Sequence, residues 1–442
     1  MPRLNDPDIV KQFIPAGADV VVSDRELRRL QASIKVHRSV SIQRLENQMH
    51  VVVEGIQPGE LDPSPLLSNI ALKEHPNYLG GGGFGLVFKA VYFGATVAVK
   101  KLKLTSAATG GFATSEQLQQ FLNEVEIMKS WPHPNIIPLL GAVMQRDCCC
   151  LVMEYVPMTV YAKLKQTYNA LPSGLLETIP AGVVGQAAPT LEGAKAMEEM
   201  FPLELRLQLL KGVLAGLQFL HSKKVAHRDL KTSNILLSND WVCRLIDFGM
   251  SRLMKKLKSS RHKSIRHTVG SDDAKLSGAG TVAYMPPEML MTPQQLHDLY
   301  GSDGKVKLDA FACDIWALGM IIYEFLFALS PFGELSAPDS VLSTFIINGR
   351  RPALPAYVKS APASMVAKLA PEWLLDVMQR CWQRSPSERP QLVEIIALFK
   401  KNCSADIKLP RDAPAEHGVC CALLFLCCAC CVLEFRPPLH ST

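Results

Sequence analysis

Apolar positions along this chain follow three rhythms. Thr96-Val97-Ala98-Val99-Lys100 alternates polar and apolar residues, the period of a half-buried strand. The run from Leu86 to Tyr92 before it is also strand-like, and Val51-Val52-Val53 reads as a short strand further upstream. Helical spacing appears elsewhere. Leu118, Phe121, Leu122, Val125 and Met128 share one face of a helix. Leu203 to His221 predicts a long amphipathic helix. Leu27, Leu30 and Ile34 keep the same spacing behind a cap at Ser23 or Asp24, and Ser41 and Leu45 continue that face towards Asn47. The third rhythm is a continuous apolar run, Val419 to Leu433. As a helix its fifteen residues would span about 22 Å. A bilayer core is about 30 Å thick, so the run is short for a transmembrane helix.

Punctuation divides these elements. Pro58, Pro63 and Pro65 mark a linker after an N-terminal extension, 1–72. A stretch rich in Ala, Gly and Pro, 168–200, reads as a surface loop, with Leu191 to Met200 partly helical. Composition adds little: 48% of residues are hydrophobic and 20% charged, ordinary globular usage. The net charge of +6 favours anionic partners only weakly. No aromatic residues interleave with the basic clusters, so nucleic acid is not the expected partner. The start of the chain has no apolar core for a signal peptide, and Pro2 stands where myristoylation needs glycine. The expected compartment is the cytoplasm, where the thirteen cysteines stay thiols.

The chemistry concentrates in His227-Arg228-Asp229-Leu230-Lys231-Thr232-Ser233-Asn234. An Asp and an Asn five residues apart on a loop can face one site. There the acid accepts a hydroxyl proton while the amide holds a metal ion, as phosphoryl transfer from a nucleotide requires. Upstream, Leu79-Gly80-Gly81-Gly82-Gly83-Phe84-Gly85 is a glycine run bounded by strand-like residues. Without Cβ atoms, its backbone N–H groups can approach phosphates. It is not a Walker A loop, because no Gly-Lys-Ser/Thr follows. Lys100 can reach phosphates from the end of its strand, given a carboxylate to hold it.

Together and in this order, these motifs resemble those of the protein kinases over about 73–401. The resemblance implies an α+β, bilobal fold: a small β-rich lobe (73–155) with one main helix, and a large, mostly helical lobe (156–401). A tail, 402–442, follows. It implies that ATP and Mg²⁺ bind between the lobes. Gly80 to Gly85, including Gly81, Gly82, Gly83 and Phe84, would cover the phosphates. Val87 and Ala98 would lie above the adenine and Leu236 below it. Glu154 to Val156 would meet its edge, with Met153 in the gatekeeper position. Lys100 would pair with Glu124. Asp229 would be the catalytic base, Lys231 would steady the transferring phosphoryl group, and Asn234 and Asp247 of Asp247-Phe248-Gly249 would hold Mg²⁺. Glu288 would pair with Arg389, and Asp314 would brace the catalytic loop.

Lys231 and Thr281 are of the serine/threonine type, whereas Cys381-Trp382 and Asp247-Phe248-Gly249-Met250-Ser251-Arg252 have a tyrosine-kinase flavour. That mixture resembles the tyrosine-kinase-like group, with its Raf-like and mixed-lineage members. The implied reaction is transfer of the ATP γ-phosphate to protein Ser/Thr. The rival readings are a scaffold with little catalysis, and a dual-specificity or tyrosine kinase. Between Asp247 and Glu288, Lys255, Lys256, Lys258, Arg261, Lys263 and Arg266 accompany Ser264, Thr268 and Ser277. The segment is either a solvated loop or one that orders when an upstream kinase phosphorylates it and the phosphate meets Arg228. In the tail, Cys420, Cys421, Cys427, Cys428, Cys430 and Cys431 sit in the apolar run, and S-acylation would attach it to a membrane.

Overall fold

The computed structural model describes residues 40–45, 48–53, 76–81, 85–92, 95–102, 121–122, 124–128, 132–144, 149–178, 185–250, 252–253, 282–300 and 309–403. All of them belong to one compact unit, Met1–Leu409. The outer part of the expected helix near the N-terminus is a strand instead. β1 (Val40–Leu45) pairs antiparallel with β2 (Gln48–Val53), with Ser41 opposite Val52 and Leu45 opposite Gln48. Val40-Ser41-Ile42 and the valines of β2 are β-branched or small, and such residues suit a pleated pair better than a helix. The upstream part of that helix, the linker, and the tail from 404 on lie outside the described residues.

The small lobe is one antiparallel sheet in the order β3-β4-β5-β7-β6. Its strands are β3 (Tyr78–Gly81), β4 (Gly85–Tyr92), β5 (Ala95–Leu102), β6 (Leu139–Met144) and β7 (Cys149–Glu154). Both faces of the central strands are covered. Val97, Val99, Cys150 and Val152 form a cluster on one side, while Cys149, Leu151 and Met153 join the main core on the other. The cysteine pair thus packs as small apolar side chains on opposite faces. A helix, α1, includes 121–122 and 124–128, with Phe121, Leu122, Val125 and Met128 buried as their spacing requires.

The large lobe is helical. Its elements are α2 (Val160–Asn169), α3 (Leu191–Met200), α4 (Leu203–Ser222), α5 (Pro287–Leu290), α6 (Pro293–Tyr300), α7 (Ala310–Phe327), α8 (Asp339–Ile347), α9 (Tyr357–Ser360), α10 (Ala363–Leu369), α11 (Glu372–Cys381) and α12 (Leu392–Asn402). Short strands lie beside them: β8 (Met158–Thr159) pairs with β10 (Ile235–Leu237), which pairs with β11 (Cys243–Leu245). β9 (Val225–Ala226) pairs with β12 (Arg252–Leu253). The central helix is α7. Asp309 caps it by accepting from Phe311 N and Ala312 N, and Ala328 ends it in the left-handed region at φ 53°. It is long and apolar enough to cross a membrane, yet nearly all of its residues are buried inside the lobe.

The insertion corrects the surface-loop expectation. Thr190 caps α3 by accepting from Gly193 N at 3.2 Å, and Ala194 and Met197 are buried in the core. Glu177 N donates to Ala188 O, and Gln186 N to Gly333 O. From α3, Glu198 pairs with the buried Arg206 of α4, whose Nη1 donates to Phe325 O and Leu326 O at the end of α7. A guanidinium buried at that junction ties three helices together, so the insertion is part of the lobe's frame.

Candidate active site

The cleft site is built from both lobes. In β5 every side chain alternates between the two sheet faces, and Lys100 falls on the face towards α1. There its Nζ donates to Glu124 Oε1 at 2.7 Å and Oε2 at 3.0 Å. The same nitrogen donates to Asp247 Oδ1 at 2.7 Å. Lys100 and Glu124 are buried, and the Asp247 side chain keeps 24% of its exposure. Burial alone would lower the Lys100 amine, but Asp247 and Glu124 outweigh it and hold it raised. The two carboxylates divide one cation. Burial pushes Asp247 up, yet Lys100 beside it keeps it below its ordinary value. Glu124 ends above its ordinary value, because burial and the Asp247 charge outweigh Lys100.

The catalytic-loop residues converge from below. Lys231 Nζ lies 2.9 Å from Asp229 Oδ2, and Asn234 Nδ2 donates to Asp229 O at 2.8 Å and to Oδ2 at 2.9 Å. With both amide hydrogens engaged, the Asn234 carbonyl oxygen is left facing elsewhere. Two backbone positions here lie in the left-handed region, Arg228 at φ 69° and Asp247 at φ 67°. Such positions cost about 1–3 kcal/mol each and persist only where their surroundings fix them. Asp314, fully buried, does so for the first: it accepts from His227 N and Arg228 N, both at 2.8 Å, and from His221 Nε2 at 2.8 Å. For the second, Ile246 N donates to Asn234 O, and Phe248 packs against the His227 ring.

The remaining expected residues fall as follows. Val87 is half-buried on β4, opposite Lys100, and Ala98 lies opposite Met153, both nearly buried. Leu236 is on β10 opposite Thr159, which places it where the chain enters the large lobe. Glu154 ends β7 and reaches Arg244 Nη1 at 3.1 Å, and Val156 is buried just beyond it. Gly80 and Gly81 lie on β3, and Gly85 opens β4. A Cβ on Gly85 would stand 2.5 Å from Lys101 O, so that strand pair needs a glycine there. Gly82, Gly83 and Phe84 lie outside the described residues, as do Ser264, Thr268, Ser277 and Thr281. Glu288 and Arg389 meet as a buried bidentate pair at 2.7 and 2.8 Å.

Three residues went unassigned in the sequence reading. Glu324 of α7, 2% exposed, accepts from Thr232 Oγ1 at 3.1 Å and from Tyr284 OH at 2.7 Å. Burial pushes its carboxyl up to about 8 against those two hydrogen bonds. A glutamate inside an otherwise apolar helix pattern was the available signal.

The matched family is the protein kinase domain, over residues 74–398. Among curated relatives, the chain is similar to the probable serine/threonine-protein kinase SIS8 of Arabidopsis thaliana, 28% identical over 77% of this chain and 26% of that protein. It is similar to the serine/threonine/tyrosine-protein kinase HT1 of the same plant, 24% identical over 74% of this chain and 65% of HT1. A third is the dual specificity protein kinase shkB of Dictyostelium discoideum, 26% identical over 72% of this chain and 38% of shkB. The chain thus spans about a quarter to two thirds of these relatives. A match over nearly three quarters of its length, on a two-lobed frame with this cleft, makes the chain a member of the protein kinase family.

Proposed function

We propose that this chain is a serine/threonine protein kinase that transfers the γ-phosphate of ATP to protein hydroxyls. The observation that carries the reading is the convergence of Lys100 and Glu124 of the small lobe with Asp247, Asp229, Lys231 and Asn234 of the large lobe. Glu124 holds Lys100 where an α- or β-phosphate oxygen can meet it. Asp229 accepts the proton of the incoming hydroxyl, and Lys231 beside it offsets charge on the moving phosphoryl group. General-base action contributes about 10²–10⁴-fold, so positioning and charge neutralisation supply most of the rate.

The donor set suits Mg²⁺. One carboxylate, Asp247, and one amide oxygen, Asn234, are hard oxygen donors, and Mg²⁺ takes one or two protein oxygens beside substrate phosphates and waters. When bound, the ion would neutralise phosphate charge. Among the described residues no group of three or more His, Cys, Asp or Glu could hold a metal without such partners.

Within the family the reading extends to the tyrosine-kinase-like group, on Lys231 and Cys381-Trp382 in one chain. Phosphorylation of the 247–288 segment by an upstream kinase, a cytoplasmic location, and membrane attachment through an S-acylated tail complete it. These rest on the Ser/Thr and Lys/Arg of that segment and the six tail cysteines. The names of shkB and HT1 keep a dual-specificity reading in play. One experiment decides among them: labelled Mg·ATP with the full chain and a generic protein substrate, Asp247→Asn in parallel, and identification of the phosphorylated amino acids. Phosphoserine and phosphothreonine, absent with the variant, are expected. Phosphotyrosine would move the reading to dual specificity, and no transfer after pretreatment with cell extract would leave a scaffold.

A further inference from the structure

The insertion does more than brace the large lobe. With the end of α7 and the stretch after α8 it encloses a cavity of about 190 Å³, and none of the catalytic residues lies in its wall. We propose that this cavity is a docking pocket for one arginine side chain of a partner protein, held between Glu177 and Glu334. Its three sides are fastened to one another by hydrogen bonds. Gln186 N donates to Gly333 O at 2.8 Å, and the Gln186 side-chain oxygen accepts from Ser330 N at 2.9 Å. Tyr323 OH donates to Ala353 O at 2.8 Å. The pocket is therefore formed before any ligand arrives. It stands apart from phosphotransfer and does not rest on that reading.

The wall offers acceptors and negative charge, and no cation. Glu177 Oε1 accepts from Ala356 N at 2.8 Å, and Glu334 Oε1 accepts from Ala353 N at 3.2 Å. Among the described residues, the second oxygen of each carboxylate accepts no hydrogen bond, and no Lys, Arg or His pairs with either. No basic residue lines the cavity. The residues joining Thr178 to Gly185, Ile179 to Val184, carry no charge either. Tyr323 is 1% exposed and gives its one hydroxyl hydrogen to Ala353, so its lone pairs are a further open acceptor. Burial pushes that hydroxyl well up, and Glu334 and Glu177 are among the charges that add to it, so both carboxylates act on one buried atom. A ligand that completes this set brings positive charge and donors in several directions. A guanidinium has five N–H donors in a planar fork that suits carboxylates, whereas an ammonium is a compact point charge. Leu329, Leu354, Ala187 and Ala188 supply apolar wall for its methylene stem. The cavity is smaller than the 300–1,000 Å³ usual for free ligands, and suits a single side chain. A free amino acid would also bring its own carboxylate to a wall that already has two. The arginine is therefore one carried by a protein, with its carboxyl in a peptide bond.

The test is a binding titration on the full chain without ATP, followed by saturation-transfer NMR. The probe is N-acetyl-arginine N-methylamide, an arginine with both ends capped as in a protein. A dissociation constant on the order of 1 mM is expected for a probe of this size. The capped citrulline analogue has the same shape without the charge, and is expected to bind at least tenfold more weakly. The capped lysine analogue and free L-arginine should each be several-fold weaker than the probe. Glu177→Gln with Glu334→Gln keeps an acceptor oxygen for Ala356 N and Ala353 N and removes both charges. At least a tenfold loss of probe affinity is expected in that double variant. Should it fail to fold, the two single variants are read in the same way, and the citrulline comparison needs no variant at all. Binding of the arginine probe that is unchanged by the substitutions, or matched by citrulline, overturns the pocket. Tighter binding of lysine or of free arginine overturns the assignment to a protein-borne arginine. Because no phosphate is transferred in this assay, an inactive enzyme would defeat the kinase reading and leave this result standing.

Discussion

Buried acids are neutralised by opposite rules in two regions of this molecule. At the end of the 247–288 segment, Glu288 and Arg389 match one to one: both carboxylate oxygens take a guanidinium nitrogen, at 2.7 and 2.8 Å. The remaining guanidinium hydrogens go to Ala312 O, Gln383 O and Arg384 O. In the cleft, one lysine, Lys100, donates to both Glu124 and Asp247. The first cluster is closed and has nothing left to bind. The second has two carboxylates on one lysine, and its outer carboxylate, Asp247, is the less buried of the two. A cation can therefore enter beside Asp247 without stranding any group, and Lys100 can turn part of its charge to a phosphate. Complete pairing marks a structural joint, and incomplete pairing marks a place where a ligand finishes the set.

The largest effect should separate the two clusters by kind. Lys100→Met removes a group held for the reaction, so phosphotransfer is expected to fall by about 10²–10³-fold. The melting temperature should move little, because Glu124 can take up a proton once its cation has gone. Arg389→Ala removes a group held for the fold. Breaking a buried pair on one side costs about 3–5 kcal/mol, measured by chemical denaturation. If Lys100→Met proves as destabilising as Arg389→Ala, the contrast between the two clusters is wrong.

The cleft was legible because its chemistry is carried by short motifs. Asp229, Lys231 and Asn234 sit within six residues, and a loop that short has few ways to present them. Lys100 and Glu124 were legible in another way: strand alternation and a helical stripe each place one side chain on a known face. The frame was less legible. Ser41 and Leu45 fit helical spacing, but the β-branched residues around them pair with β2. The insertion looked like a loop because its Ala, Gly and Pro content hides long-range contacts, such as Gln186 N to Gly333 O. Glu324 was missed for the same reason. Its partners, Thr232 and Tyr284, are 92 and 40 residues away in the chain.

Glu324 is the case between the two rules, an acid neutralised by a proton. The sign of its effect on stability follows. Its folded value of about 8 lies above the ordinary 4.5, so the folded state keeps a proton that the unfolded chain has lost. The contribution is complete below 4.5 and is lost as pH rises through about 8. Melting curves from pH 5 to 9 should show wild type falling relative to Glu324→Gln, with the slope ending near pH 8. Parallel curves would mean that Glu324 is ionised in the fold after all.

The smallest effect tests whether the insertion belongs with the closed, structural cluster or with the cleft. Thr190 Oγ1 accepts from Gly193 N and donates to Leu175 O, fastening the start of α3 to the loop before it. The fit is close: a Cβ on Gly193 would lie 2.3 Å from Leu175 O. Replacing an N-cap threonine by alanine costs about 1 kcal/mol. Thr190→Ala should therefore lower stability by that amount and leave phosphotransfer unchanged well below the melting temperature. The reason lies in the route from α3 to the cleft. It passes through Glu198 and Arg206 to the carbonyls of Phe325 and Leu326 near the end of α7, one and two residues beyond Glu324. At the α7 end Arg206 Nη1 donates to both carbonyls, and that joint is expected to hold its position when one upstream cap frays. A drop in kcat without a matching loss of stability would show the opposite, that the insertion sets the position of Glu324 and belongs to the site.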